Sequence, residues 1–151
     1  MIIDGAGSAF IAYAVTCVVL AIDLLILWGY SGAVRARVGV AINPEDAARF
    51  RVPLLSTDPP EVARVLRAHR NAQAAIVPFM LLGLAFVLMG GPAWIAAILF
   101  ALFTAARIVH SVSYLLGKQP WRTSAFIFGG LTTVALMGVL VWRIARIAVT
   151  G

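Results

Sequence analysis

The chain has 151 residues, of which 62% are hydrophobic and 12% are charged, and its formal net charge is +6. A soluble domain is about half apolar and about a quarter charged, so this composition excludes an ordinary soluble protein and predicts one that lies in a bilayer. The basic residues lie in connections and at the ends of apolar segments, which argues against a nucleic-acid-binding protein. The single cysteine, Cys17, excludes an intrachain disulfide.

Four apolar segments are long enough to cross a bilayer, which takes about 20 residues. They cover residues 8–34, 72–89, 93–116 and 124–142. The first segment has Asp4 as its one early charge and no basic N-terminal region, and it is too long for a cleaved signal peptide. The sequence therefore predicts an all-α, integral membrane four-helix bundle that forms a single domain over residues 1–151.

The connections differ in length and in predicted structure. Residues 90–92 (Gly-Gly-Pro) and 117–120 (Gly-Lys-Gln-Pro) have the composition of tight turns, so the helices that they join are expected to be antiparallel neighbours. The first connection, residues 35–60, is long. Its residues 43–46 (Asn-Pro-Glu-Asp) predict a capped turn that opens a short helix.

The distribution of basic residues predicts the orientation in the membrane. Four arginines lie between residues 35 and 51, and Lys118 and Arg122 lie at the third connection, whereas the second connection carries no charge. The positive-inside rule then places the first and third connections in the cytoplasm and both termini on the opposite side. Arg143 and Arg146 near the C-terminus count against this orientation without outweighing the connections.

A polar helical segment, residues 61–71, runs directly into the second span. Within it Arg64, Arg67 and Asn71 recur at i, i+3 and i+7 and share one helix face, with Arg70 beside them. Side chains this polar are not expected to face lipid. The segment therefore indicates a polar layer at one end of the bundle.

The third span repeats this spacing with Arg107, His110 and Tyr114, and Arg122 opens the fourth span at the same level. Arg107 lies nearly two turns inside its helix, and buried ionisable groups in a bundle usually pair or bind something. Asp23 in the first span is expected to form a structural ion pair with a basic residue across helices or subunits. The convergence of these polar groups favours an anionic polar ligand.

Taken singly, these residues have simpler interpretations. Arginines near span ends usually contact lipid headgroups, which is the simpler interpretation for Arg35, Arg37, Arg143 and Arg146. A lone His110 is more often a hydrogen-bonded core histidine, and a lone Tyr114 an anchor at the membrane interface. Two histidines and one cysteine that the spacing does not bring together argue against a metal site.

The chain resembles one known family. Residues 64–71 (Arg-Val-Leu-Arg-Ala-His-Arg-Asn), followed by Pro-Phe at 78–79, are similar to the signature of the MAPEG family, the membrane-associated proteins of eicosanoid and glutathione metabolism. Residues 43–47, 106–114 and 120–122 extend the resemblance across nearly the whole chain. Within the family the chain looks closest to the branch of microsomal glutathione transferases and microsomal prostaglandin E synthases.

The resemblance implies a homotrimer of four-helix subunits that binds glutathione between neighbouring subunits near the cytoplasmic face. By position in the motifs, the residues that would hold the tripeptide are Arg35, Arg67, Arg70, Asn71, His110 and Tyr114. Arg122 matches the arginine that stabilises the thiolate in the family, and Thr123 stands where a synthase has a serine. The chemistry is coherent, because the thiolate is the nucleophile and a nearby guanidinium lowers the pKa of a thiol.

The chain also departs from the family pattern. The motif continues from the asparagine to a glutamate three residues later, where this chain has Ala74, and Gln73 lies about 100° away around the helix. The missing carboxylate implies weaker glutathione binding or a different thiol. Phe126 stands where the prostaglandin synthase has tyrosine, although the transferase branch carries phenylalanine there, which argues against the eicosanoid reaction.

We therefore expect a glutathione-dependent membrane transferase, with hydroperoxide reduction as a further activity, that acts on lipophilic electrophiles reaching it through membrane lipid. Glutathione would be a co-substrate, with no metal and no nucleic-acid partner. One alternative is a non-catalytic lipid-binding member of the family, which Ala74 favours and which Arg122 and Asn71 oppose. The other is a structural scaffold, which would not need convergent arginines.

Overall fold

The computed structural model describes residues 6–150, so that Asp4 lies outside the described residues. The described chain forms five helices, α1 (Ala6–Val38), α2 (Pro44–Phe50), α3 (Pro60–Leu88), α4 (Ala93–Leu115) and α5 (Gln119–Thr150). Four of them, α1, α3, α4 and α5, are long and apolar enough to cross a membrane. The prediction of an all-α chain with four membrane-length helices is confirmed.

The helices extend beyond the predicted apolar spans. α3 begins at Pro60 rather than at residue 72, and α5 begins at Gln119 and continues to Thr150 rather than stopping at 142. Apolarity marks only the part of a helix inside hydrocarbon, whereas the helix itself satisfies its backbone hydrogen bonds in any solvent. The polar residues 61–71 therefore lie on a regular helix.

Glycines with left-handed backbone angles follow three of the long helices, at Gly39 after α1, at Gly90 after α3 and at Gly117 after α4. Gly90 has a φ of 69° and Gly117 a φ of 68°, a region that is favourable for glycine and costly for most other residues. The N–H of Lys118 donates to the carbonyl of Ser113 at 2.9 Å, which completes the turn after α4. The tight turns predicted at both sites are confirmed, and α3, α4 and α5 follow one another as antiparallel neighbours.

The long connection contains the short helix that its sequence predicts. α2 covers Pro44–Phe50, but Asn43 does not cap it with a side-chain oxygen. Instead the Asn43 Nδ2 donates to Asp46 Oδ2 at 3.3 Å. Backbone bonds between Ala41 and residues 53 and 55 close the connection, with N···O distances of 3.0 and 2.8 Å.

Aromatic rings form the centre of the bundle, where α3 packs against α4. Phe79 stacks on Phe103 with ring centroids 3.7 Å apart, and it meets the edge of Phe100 at 5.8 Å. Gly83 lets the Phe100 ring approach α3, since a Cβ there would lie 3.1 Å from a ring carbon. This packing fixes how α3 and α4 are rotated about their axes, and therefore which of their polar residues face the interior.

Candidate functional site

Buried polar side chains lie on one face of α4, in the half of the helix nearer its C-terminal end. Arg107 is 1% exposed, and His110 and Ser111 are each 3% exposed. Charged and polar groups are rarely buried this completely without partners. The contacts of these three residues therefore define the candidate site.

Arg107 joins α4 to α3. Its Nη2 donates to the Oδ1 of Asn71 at 3.0 Å, while its buried Nε has no hydrogen-bond partner among the described residues. Because the amide oxygen of Asn71 accepts from Arg107, its NH₂ group is the part that is left to meet a ligand. The structure thus brings together one residue from each of the two motifs.

His110 joins α4 to the first turn of α5. Its Nδ1 lies 3.0 Å from the backbone carbonyl of Arg122. Because a carbonyl only accepts, Nδ1 carries a proton, and Nε2 is an acceptor when the ring is neutral. That Nε2 is buried and has no partner within residues 6–150. The Arg122 guanidinium carbon lies 4.8 Å from the ring centroid of Tyr114, a cation–π distance, and the rings of His110 and Tyr114 are 5.7 Å apart.

Three of the predicted site residues, His110, Tyr114 and Arg122, are therefore in mutual contact. We call them the His110–Tyr114–Arg122 cluster. The contact between His110 and Arg122 uses a backbone oxygen, which no side-chain pattern could have revealed.

Within the described chain the remaining predicted site residues lie outside this cluster. Arg35 donates from Nε and Nη2 to Asp58 Oδ1, at 3.1 and 2.8 Å, in an ion pair that ties the long connection to the end of α1. Arg67 and Arg70 are exposed on α3. Thr123, also exposed, is 3.4 Å from Gln119 Nε2, which donates to its hydroxyl.

Asp23 has a different partner from the one that the sequence suggested. Within the described chain its Oδ2 accepts a hydrogen bond from Ser111 Oγ at 2.9 Å rather than pairing with a basic side chain. Ser111 is not among the predicted site residues, although it follows Arg107 by one helical turn and so shares its face. That spacing is the signal that could have identified it.

A cavity of about 390 Å³ opens between α3, α4 and α5. Asn71 and Arg107 form its polar end, and most of its wall is apolar, including Ala74, Pro78 and Phe126. Its size falls within the range of small-molecule sites. The ring of Phe126 also lies 6.0 Å from that of His110, so the cavity adjoins the His110–Tyr114–Arg122 cluster.

Comparison with known proteins gives a consistent picture. Residues 13–142 match the model of the MAPEG family. Prostaglandin E synthase of Equus caballus is 35% identical over 142 residues, covering 93% of this chain and 92% of the relative. The Homo sapiens protein of that name is 33% identical, with 93% of each chain covered. Microsomal glutathione S-transferase 1 of Rattus norvegicus is 37% identical over 134 residues, covering 85% of this chain and 84% of the relative.

The resemblance that the motifs indicated is thus confirmed. The family model spans most of the chain, and the alignments with the relatives cover 84–93% of their own length. The fold agrees, since four of the helices in the described residues are of membrane-spanning length. This chain therefore belongs to the MAPEG family and is a multi-pass integral membrane protein.

Proposed function

We propose that this protein is a glutathione-dependent transferase that joins the thiol to lipophilic electrophiles arriving through the bilayer. The relatives support this proposal, because one of them is named as a glutathione S-transferase. The observation that carries it is the His110–Tyr114–Arg122 cluster, which holds a guanidinium against the Tyr114 ring. The His110 ring of this cluster adjoins Phe126, which lines a cavity with apolar walls.

Arg122 acts on the thiol. Its guanidinium stays charged and is oriented by the Tyr114 ring, so it stabilises the thiolate over the neutral thiol. The thiol proton leaves to water, the sulfur lone pair forms a C–S bond with the electrophilic carbon, and the leaving group departs with the bonding electrons. Thr123, the next residue on α5, would add a hydroxyl donor near the sulfur.

The other proposed residues bind the tripeptide. Arginine pairs bidentately with carboxylates. Arg67 and Arg70 are exposed, so both guanidinium groups can reach the carboxylates of the tripeptide. Arg35 has Nε and Nη2 fixed by Asp58, which leaves its Nη1 for a ligand. The amide NH₂ of Asn71 and the Nε2 of His110 supply one donor and one acceptor.

The electrophile would bind in the cavity between α3, α4 and α5. Its wall near Phe126 adjoins the cluster that holds Arg122, so a ligand there would present an electrophilic carbon to the thiolate. The apolar lining suits a substrate that partitions into lipid. The same thiolate would attack the peroxide oxygen of a lipid hydroperoxide, releasing the alcohol and forming a sulfenic acid on the tripeptide that a second thiol reduces.

We further propose that the protein assembles as a homotrimer, with the His110–Tyr114–Arg122 cluster at the cytoplasmic end. Arg67 and Arg70, which lack a partner for their charge among the described residues, would then meet the ligand beside a neighbouring subunit.

Titration of the purified protein with glutathione tests the function directly. Thiolate absorbance should rise in proportion to the protein present, and a lipophilic aryl halide should be conjugated with saturable kinetics. Arg122→Ala serves as the control that should lose the thiolate signal. A chain with neither signal, but with measurable lipid binding, would instead be the non-catalytic lipid-binding protein that Ala74 favours.

A further inference from the structure

The charge of Arg107 is buried inside the bundle with little visible compensation. The residue is 1% exposed, its Nη2 donates to a neutral amide, and its Nε has no acceptor within the described chain. A buried cation is costly unless a carboxylate lies close enough to offset its charge. Ala74, which lines the same cavity as Arg107, supplies none.

Asp23 is the acidic residue best placed to offset the buried charge of Arg107. Of the six acids in the sequence, Asp4 lies outside the described residues and Asp58 is bound to Arg35. Glu45 and Asp46 belong to α2, and Glu61 is exposed in the first turn of α3. Asp23 alone lies well within a membrane-length helix among the described residues.

The hydrogen bond to Ser111 brings this carboxylate to α4. Asp23 Oδ2 accepts from Ser111 Oγ at 2.9 Å, and Ser111 stands one turn from Arg107 on the same buried face. Asp23 is therefore the carboxylate that α1 places on the buried face of α4 that also carries Arg107, although the two side chains form no direct ion pair.

We infer that Asp23 is the counter-charge of Arg107, supplied from α1 at a site where α3 carries Ala74, and that it thereby positions Asn71 for ligand binding. The charge of Asp23 stabilises the charge of Arg107 without direct contact, the Arg107 guanidinium donates to the Asn71 oxygen, and Asn71 then presents its NH₂ group outward. Asp23 is thus a positioning residue that touches no substrate. The part concerning the ligand rests on the proposed function.

Two single substitutions separate the charge of Asp23 from its hydrogen bond. Asp23→Asn keeps an acceptor for Ser111 at almost the same volume and removes the charge, whereas Ser111→Ala removes the bond and keeps the charge. Asp23→Asn should lower Tm by roughly 5–10 °C and weaken glutathione binding by roughly tenfold. Ser111→Ala should change both much less. Equal behaviour of Asp23→Asn and the unmodified protein would overturn the inference.

The decisive test introduces a carboxylate on α3, at residue 74. Ala74→Glu should restore both Tm and glutathione affinity to Asp23→Asn, while the matched neutral change Ala74→Gln should restore neither. If Asp23→Asn does not fold, recovery of folded protein by Ala74→Glu but not by Ala74→Gln takes the place of Tm as the readout. Failure of Ala74→Glu to restore stability would overturn the inference.

The Asp23→Asn substitution, made in an Arg107→Met variant, shows which cation Asp23 compensates. In Arg107→Met, Asp23→Asn should have no further destabilising effect, since the charge that it compensates is gone. An undiminished effect would mean that Asp23 serves another group and would overturn the inference. The stability measurements need no glutathione, so they decide the role of Asp23 even if the protein forms no thiolate and the proposed function fails.

Discussion

The imidazole of His110 donates its Nδ1 proton to the backbone carbonyl of Arg122 across 3.0 Å. Both groups lie where α4 ends and α5 begins, and the carbonyl belongs to the residue whose guanidinium stacks on Tyr114. This bond therefore ties the Arg122 backbone to α4, while the tyrosine ring orients its side chain. Arg122, the proposed catalytic residue, thus contacts α4 through both its backbone and its side chain.

His110→Phe should separate these two contributions. The ring contacts with Tyr114 can persist in this variant, but the carbonyl of Arg122 loses its donor, which typically costs about 1–2 kcal/mol. We expect kcat for conjugation, measured at saturating glutathione so that the loss of Nε2 as a ligand contact does not enter, to fall roughly tenfold with a modest loss of thermal stability. A variant with full activity would show that the bond does not position Arg122.

Arg122→Ala tests the thiolate assignment. Loss of one placed charge stabiliser typically costs about 3 kcal/mol in the barrier, or roughly a hundredfold in kcat, and glutathione binding should weaken much less. Arg122→Lys should recover part of the rate, because a positive charge remains while the planar fork is lost.

Arg146→Ala is the matched control for Arg122→Ala. Arg146 also stacks on an aromatic ring, that of Trp142 at 5.2 Å, but near the opposite end of α5. Its removal should leave kcat per folded protein unchanged. If Arg122→Ala behaves in the same way, Arg122 anchors the helix at the membrane surface and the catalytic assignment is wrong.

Gly130→Leu should block the cavity between α3, α4 and α5. A Cβ at Gly130 would meet no atom within 4 Å, so the new side chain can enter the open space without strain. The KM for a bulky lipophilic electrophile should rise roughly tenfold, with glutathione binding unchanged. Gly138→Leu, two turns further along α5 and equally open at its Cβ, should leave this KM unaltered.

Native mass spectrometry in mild detergent tests the proposed assembly. The expected species has three times the subunit mass, because exposed arginines on α3 would complete their ligand contacts at a subunit boundary. A stable monomer that still conjugates glutathione would contradict the proposal.

Cysteine accessibility in intact cells tests the orientation. After Cys17→Ser, a cysteine introduced by Ser56→Cys in the long connection should resist a membrane-impermeant reagent. One introduced by Ala93→Cys, at the start of α4, should react. Labelling of Ser56→Cys with protection of Ala93→Cys would reverse the assignment.

Local patterns in the sequence determined the helices and much of the polar layer. Apolar segments of about 20 residues can satisfy their backbone in lipid only as helices, and Gly90 and Gly117 mark the turns because they tolerate positive φ. The spacing of His110 and Tyr114 places them on one face of α4 in any regular helix. These features depend on neighbours within a few residues along the chain.

Only the tertiary structure decided which groups meet across helices. Asp23 and Ser111 are 88 positions apart in the sequence, and the acceptor for His110 is a backbone oxygen that carries no sequence signal. Ala74 faces the same cavity as Arg107 because α3 and α4 are rotated to stack Phe79 on Phe103. Such rotations follow from the packing of all the helices together, so no segment of the sequence specifies them alone.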